Sequence, residues 1–480
     1  MINHVSDCKR LLFINGVWRE AANYTDLTSP YSGEVIARIP AATVEEVDEA
    51  IDAAHRAGKT MRKMPAHERS AILDRLSRLL EERAEEAATL IALEAAKPIT
   101  TAKGEVARTI QTYKFAAEEA KRIHGETIPL DAAPGGEGRI AYTIREPIGV
   151  IGAITPFNFP MNLVAHKVGP AIAAGNTVVL KPASQTPLSS LFLADLLQEA
   201  GLPAGALNVV TGGGKVVGDK LVTDSRVNMI TFTGSPSVGI GIRNKAGLKR
   251  VTLELGSNAA LIIDNGVDVD KIIARCVTGA FSNQGQVCIS LQRVYIHEDV
   301  YDPFVKKFIE GTKKLKLGNP LDTQTDVSSL ISPDDVTRTL NWIEEARQEG
   351  ADIAVGGKAE GNILHPTVIL NADPSLKVSC QEVFAPIVLI NKIRSVQEGI
   401  DMVNHSRYGL QAGIYTENVH AALDAAEQLH VGGVMINDIP TFRVDQMPYG
   451  GVKESGFGRE GLKYAVEEMT ELKLIVFNRN

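Results

Sequence analysis

Between Gly149 and Leu255 the chain repeats one unit: a short apolar run, a tight turn, then a helical segment. The runs are Val150–Ile154, Thr177–Leu180, Leu207–Val210, Met229–Thr233 and Val251–Leu255. Helical patterns lie between them at about Met161–Ala174, Leu188–Ala200, Lys215–Thr223 and Pro236–Ala246. Continuous apolar runs suit strands buried on both faces, and intervening helices make the strands parallel by crossover. The pattern predicts a doubly wound parallel sheet. Such sheets bind ligands beyond the C-terminal ends of their strands. That singles out the loops Thr155–Pro160, Lys181–Thr186, Gly212–Gly214, Gly234–Gly239 and Leu255–Asn258.

The flanking regions read differently. From about Asp264 to Asn437 the alternation resumes, predicting a second α/β unit. Upstream, Ile72, Leu73, Leu76, Leu79, Leu80, Ala87 and Leu90 fall on one face of a helix expected over Glu68–Ala96, closed by Pro98. A second helix is expected over about Gly104–His124. Between these regions, Ala133-Pro134-Gly135-Gly136 separates the extended stretches Thr127–Leu130 and Ile140–Ile144, predicting a protruding hairpin. Its open edges call for pairing, which the apolar run Leu472–Phe477 or another subunit can supply.

Composition narrows the function. At roughly 150 residues per domain, 480 residues allow about three domains. Lys plus Arg total 50 against 58 Asp plus Glu, a net charge of −8, which argues against a nucleic-acid partner. Four cysteines are too few for a disulfide framework, so a reducing compartment is expected. Met1–Glu20 lacks a signal-peptide core, and no run approaches the roughly eighteen apolar residues of a membrane span. The expected location is cytoplasmic.

The nucleotide fingerprints fail: Val217 stands where G-x-G-x-x-G needs its third glycine, and Asp219 where a P-loop needs lysine. What remains is Phe232–Gly239, a strand running into a helix whose free N–H groups can hold a pyrophosphate; a plain capping turn reads the same way. Lys181, at a strand end, can reach ribose hydroxyls or a phosphate, or can be an ordinary turn lysine. Cys288 sits in the polar loop Asn283–Cys288, whereas Cys8 lies at the terminus, Cys276 in a helical stretch, and Cys380 shows no comparable setting. Glu254 ends an apolar run, where burial raises a carboxyl's pKa toward that of a general base. Asn158, between Pro156 and Pro160, offers a rigid amide donor for an oxyanion, or a simple turn bond.

Together these blocks resemble the aldehyde dehydrogenase superfamily, from Phe13-Ile14-Asn15-Gly16 to Met469–Lys473. The most specific are Thr155–Pro160, Phe232–Gly239, Leu253–Gly256, Gly285–Cys288, Glu382–Pro386 and Pro448–Gly456. The resemblance implies a Rossmann-like cofactor domain (1–125 and 148–255), an α/β catalytic domain (256–465) and a β-hairpin oligomerisation element (126–147 and 466–480). It implies that Cys288 attacks the aldehyde, Asn158 and the Cys288 N–H hold the oxyanion, and Glu254 activates the water that hydrolyses a thioester. For the cofactor it implies Thr155, Pro156, Phe157, Lys181, Ser184, Gly214, Gly234, Ser235, Glu382 and Phe384. Lys167 and Glu471 match positions that orient groups or relay protons. No metal is implied; a homodimer or homotetramer is.

Two departures bear on specificity. Ser184 stands where members that favour NAD carry a glutamate on the ribose hydroxyls, so NADP is expected to be accepted beside NAD, with the preference between the two left open by the sequence. Ser257 replaces a common glycine without expected loss. The matching blocks line the substrate pocket with Phe159, Met161, His166, Val287, Ile289 and Phe442. Arg108 and Arg443 stand where members acting on anionic aldehydes, such as non-phosphorylating glyceraldehyde-phosphate dehydrogenases, place arginines; lactaldehyde dehydrogenases are also similar. The expected substrate is a small, hydroxylated or anionic aldehyde. Acyl transfer to CoA is an alternative that Glu254 argues against, and a catalytically silent homologue is one that the intact Cys288, Glu254 and Asn158 argue against.

Overall fold

The structure is a computed structural model and describes residues 9–479; Cys8 lies outside the described residues. Five parallel strands form the centre of an eight-stranded sheet in the order Leu207–Val209, Thr177–Lys181, Val150–Ile154, Val227–Thr233, Arg250–Glu254. In chain order this is 3-2-1-4-5, so the winding reverses between Val150–Ile154 and Val227–Thr233, where a crevice opens. Each expected strand is present to within two residues at either end. Of the helices between them, Asn162–Ala173 is buried along its whole length, sandwiched between the sheet and the upstream helices.

The upstream region differs from its reading. An unanticipated helix, Val44–Lys63, starts at a capping box in which Thr43 and Glu46 satisfy each other's backbone N–H groups. The helix expected over Glu68–Ala96 is two, Ala66–Glu82 and Ala84–Ala95. They part at Arg83, whose guanidinium bonds Glu86 and Asp195 and lies 4.5 Å from the Phe192 ring centroid. A tertiary anchor thus overrides continuous helical periodicity. The next helix runs over Ile99–Glu119, earlier than expected, because Pro98 occupies its N-terminal cap.

A second sheet of seven strands runs Asp352–Val355, Thr367–Leu370, Ile387–Ile393, Arg293–His297, Ala260–Ile263, Gln411–Tyr415, Gly433–Ile436. All its pairs are parallel except the first. The chain then returns to the first sheet, where Gly456–Phe457 pairs with Leu253 and Glu254.

The hairpin is only half as expected. Thr127–Ile128 gives way to a turn of 3-10 helix at Leu130–Ala132, while Arg139–Pro147 is longer than its apolar core suggested. Its long strand is paired along its full length by Thr470–Asn478 of the same chain. The new edge strand leaves Leu472, Leu474, Val476 and Phe477 about half exposed. Among the described residues no helix is long and apolar enough to cross a membrane.

Candidate active site

The C-terminal strand ends open into a cleft of 1130 Å³. All thirteen residues expected to carry catalysis or hold the cofactor line it: Cys288, Glu254 and Asn158 with Thr155, Pro156, Phe157, Lys181, Ser184, Gly214, Gly234, Ser235, Glu382 and Phe384. Four lie where strand order dictates. Thr155 and Lys181 end neighbouring strands, and Thr233-Gly234 meets Glu254 in register.

Cys288 and Glu382 reach the cleft from the other sheet. The loop before Cys288 turns through left-handed Asn283, Gln284 and Gly285. A Cβ on Gly285 would come within 2.2 Å of Ala385 O, so glycine lets the Cys288 and Glu382–Pro386 loops touch. Buried amides hold this arrangement. Asn158 Nδ2 donates to Gln286 O (2.9 Å), Asn283 Nδ2 to Asn158 O (3.2 Å), and Gln284 Nε2 to Ala96 O and Ser329 O (both 2.9 Å). The buried Lys97 ammonium also donates to Asn158 O, at 2.6 Å, and pairs with Glu105, which accepts from the Met161 and Asn162 N–H groups.

The cleft holds two buried titratable groups without an ion-pair partner. Lys181 is buried and donates only to Pro182 O; burial without a counter-charge lowers its pKa to about 8. An anion beside it would restore the charged form. Glu382 accepts from Ser257 N–H at 2.9 Å, and burial raises its pKa to about 7 against the pull of that bond and of Arg338. Gly256 leaves room for this carboxylate, since a Cβ would lie 2.4 Å from Glu382 Oε2. Thr233 Oγ1 is buried without a partner. Lys181 and the Gly234-Ser235 helix start could hold the phosphates of a nicotinamide dinucleotide, and Glu382 a ribose.

Glu254 is buried with both carboxylate oxygens unpartnered. Burial first, and then Glu460, push its pKa well above the usual range, against Arg443, Lys167 and Arg459. Cys288 is pushed by burial to about 11, countered by a hydrogen bond to Tyr449 and by Arg443, while Glu382 and Glu254 add to the rise.

On the far side of Cys288 lies a network of charges. Asp445 takes a bidentate bond from Arg108 (2.7 and 3.2 Å), a bond with His166 (2.8 Å) and one from Asn162 Nδ2 (3.0 Å). Arg443 pairs with Glu460 at 2.9 Å, and Lys167 pairs with Glu460 at 3.0 Å. Burial raises the Glu460 carboxyl, but Lys167, Arg443 and His166 more than offset it and hold Glu460 ionised. Arg108 also faces the Phe159 ring, 5.9 Å from its centroid. Val287 and Ile289 pack with Tyr449. Phe442 stands apart, with 39% of its surface open to solvent.

One expectation is corrected. Glu471 is on the final strand, more than half exposed and paired with Arg250, because that strand leaves the core to follow Arg139–Pro147. The carboxylate on Lys167 is Glu460. Its signal was in the sequence, in Gly458-Arg459-Glu460 just past the Pro448–Gly456 block. Tyr449 lay inside that block unremarked. Asp445 had no local signal, since its partners are over 270 residues away.

Residues 18–475 match the aldehyde dehydrogenase family. The 3-sulfolactaldehyde dehydrogenase of Priestia aryabhattai is 48% identical over 97% of this chain and 98% of its own. Aldehyde dehydrogenase 21 from Physcomitrella patens, solved with its reaction product succinate, superposes with a TM-score of 0.97 at 41% identity, covering 99% of both chains. The glyceraldehyde-3-phosphate dehydrogenase GapN of Methanocaldococcus jannaschii, solved with NADP, gives 0.92 at 42% identity over 95% of this chain and 100% of that one. With this fold, this cleft and these relatives, the chain belongs to the aldehyde dehydrogenase family and is an NAD(P)-dependent oxidoreductase of aldehydes.

Proposed function

We propose that the enzyme oxidises a small anionic aldehyde, hydroxylated next to the carbonyl, to its carboxylic acid, with NADP preferred. The observation that carries the anionic reading is the charge beside Cys288. Three cations, Arg108, Lys167 and Arg443, face two carboxylates held ionised, Asp445 and Glu460. One positive charge is left over, and Arg443 Nε is buried without a partner. Relatives named for, or solved with, sulfonated, phosphorylated or dicarboxylic compounds support the anionic class, and those named lactaldehyde dehydrogenases support the hydroxyl next to the carbonyl. Exposed Ser184 places no carboxylate beside Lys181 in the cleft, which suits a 2′-phosphate.

In this reading Cys288 adds to the aldehyde carbon, and the Asn158 amide and Cys288 N–H take up the oxyanion. A nicotinamide cofactor held by Lys181, Gly234, Ser235 and Glu382 would supply the hydride acceptor. Glu254, with no hydrogen bond to hold its proton state, takes a proton from the water that attacks the thioester. Lys97 and Glu105 position the Asn158 loop. Residues 126–147 and 466–480 join subunits into a dimer or tetramer through the half-apolar final strand, in the cytoplasm, where Cys288 stays reduced.

A panel of anionic and neutral aldehydes, each offered with NADP and NAD and with Cys288→Ala as the blank, tests this. The expected outcome is the highest kcat/KM for an anionic 2-hydroxyaldehyde with NADP. Equal efficiency on neutral aldehydes of the same length would remove the anion site from the reading.

A further inference from the structure

Tyr449 belongs to no role described so far, yet it touches the reacting atom. Its Oη lies 2.8 Å from Cys288 Sγ. The ring is buried, packed with Val287, Ile289 and Leu410 on one side, and the Arg443 guanidinium carbon lies 3.6 Å from its centroid. Its backbone is fixed as well, exchanging two bonds with Glu460 (3.1 and 2.7 Å). The hydroxyl is therefore held at the sulfur by an anchored ring rather than by a free rotor.

We propose that the Tyr449 hydroxyl donates a hydrogen bond to Cys288, holding the thiolate in its attacking position and enlarging the share of it present near neutral pH. The proposal rests on Cys288 being the nucleophile. The direction of the bond follows from the chemistry of the pair, since a phenol O–H is a stronger donor than a thiol S–H. Burial, and then Cys288 itself, push the phenol well above its ordinary value, while the bond to Tyr449 pulls the thiol down against its burial, the pattern of a phenol that donates to the sulfur. The other charged groups facing the sulfur pull in both directions. Arg443 favours the thiolate and Glu382 and Glu254 oppose it, with Glu460, Lys167 and His166 arrayed behind Arg443. Tyr449 supplies a side-chain donor that a buried thiolate requires in place of water.

The donor also matches the course of the reaction. When the sulfur lone pair forms the bond to the aldehyde carbon, negative charge moves to the former carbonyl oxygen and Tyr449 is relieved of it. When water, its proton passing to Glu254, displaces the sulfur from the thioester, the C–S bond breaks and the thiolate returns to Tyr449.

Tyr449→Phe keeps the ring beneath Arg443 and removes only the oxygen. The rate of Cys288 alkylation by iodoacetamide, followed as the labelled Cys288 peptide across pH, should show its midpoint raised by about one unit, a tenfold loss of thiolate. At pH 7 alkylation should slow about threefold to tenfold, because a more basic thiolate is also a better nucleophile. NADP affinity should not change. Placing 3-fluorotyrosine at 449, a stronger donor of nearly the same shape, should move the midpoint down. An unmoved midpoint in both variants, with NADP bound as in the parent, overturns the proposal. Cys288→Ala is scored separately: a variant that still reduces cofactor on aldehyde overturns the nucleophile reading, whatever Tyr449→Phe does.

Discussion

The two sides of Cys288 are built by opposite means. On the cofactor side, Thr155, Lys181, Gly234 and Glu254 follow one another around the ends of adjacent parallel strands, so each is placed by its own strand. Lys181 and Glu382 there have no ion-pair partner, and burial moves both toward neutral pH. On the side proposed for the substrate, Arg108 meets Asp445 across 337 residues and Lys167 meets Glu460 across 293. These charges are paired and cross-braced, and the two carboxylates, Asp445 and Glu460, are held ionised. The first pair of groups is left without counter-charges, whereas the second set is largely satisfied within itself, Arg443 Nε excepted. Glu254 sits at the boundary, unpaired but tuned by both sides.

The strongest way to test that boundary is Glu254→Gln. General-base loss costs typically 10²–10⁴ in rate, so steady-state turnover should fall at least a hundredfold, while the first-turnover burst of reduced cofactor survives. The sign of the pH effect follows from the raised pKa. The base works only when deprotonated, so kcat should rise with pH through an acid limb above the ordinary carboxylate range. That limb should vanish in Glu254→Gln. If the burst disappears as well, Glu254 acts before the thioester and the division of labour is wrong.

A smaller effect is expected from opening the substrate side. Arg108→Gln removes one cation while leaving Asp445 bonded to His166 and Asn162. It does not touch Cys288, unlike Arg443, which carries Tyr449 and Glu460. KM for anionic aldehydes should rise about tenfold, the equivalent of one charge-assisted bond, with neutral aldehydes unaffected. Equal changes on both would make Arg108 a packing residue.

The smallest change concerns the cofactor side. Ser184→Glu places a carboxylate in the cleft with Lys181 and Lys215. KM for NADP should rise severalfold, up to about tenfold, through like-charge repulsion, and KM for NAD should hold or fall. An unchanged ratio would put the 2′-phosphate elsewhere.

How much of this was legible beforehand follows the same division. The five-strand core and every cleft residue on it could be read locally, because a buried parallel strand needs a continuous apolar run and its exit loop needs turn residues. Arg83 shows where local reading stops: helical periodicity continues through it, and contacts with Asp195 and Phe192 end the helix. Glu471 shows it again. Its neighbourhood matched, but the strand it sits on turned outward along Arg139–Pro147.

By itself the sequence determined the parallel strands, the loops at their C-terminal ends, and the identity of Cys288, Glu254 and Asn158 as the residues to weigh, since these depend on patterns within about ten residues. Only the tertiary structure decided which carboxylate joins Lys167, which arginine is committed to Asp445, and what stands at hydrogen-bond distance from the Cys288 sulfur. Charge pairing depends on distance in space. A chain that crosses between two sheets and back sets those distances only when it is folded.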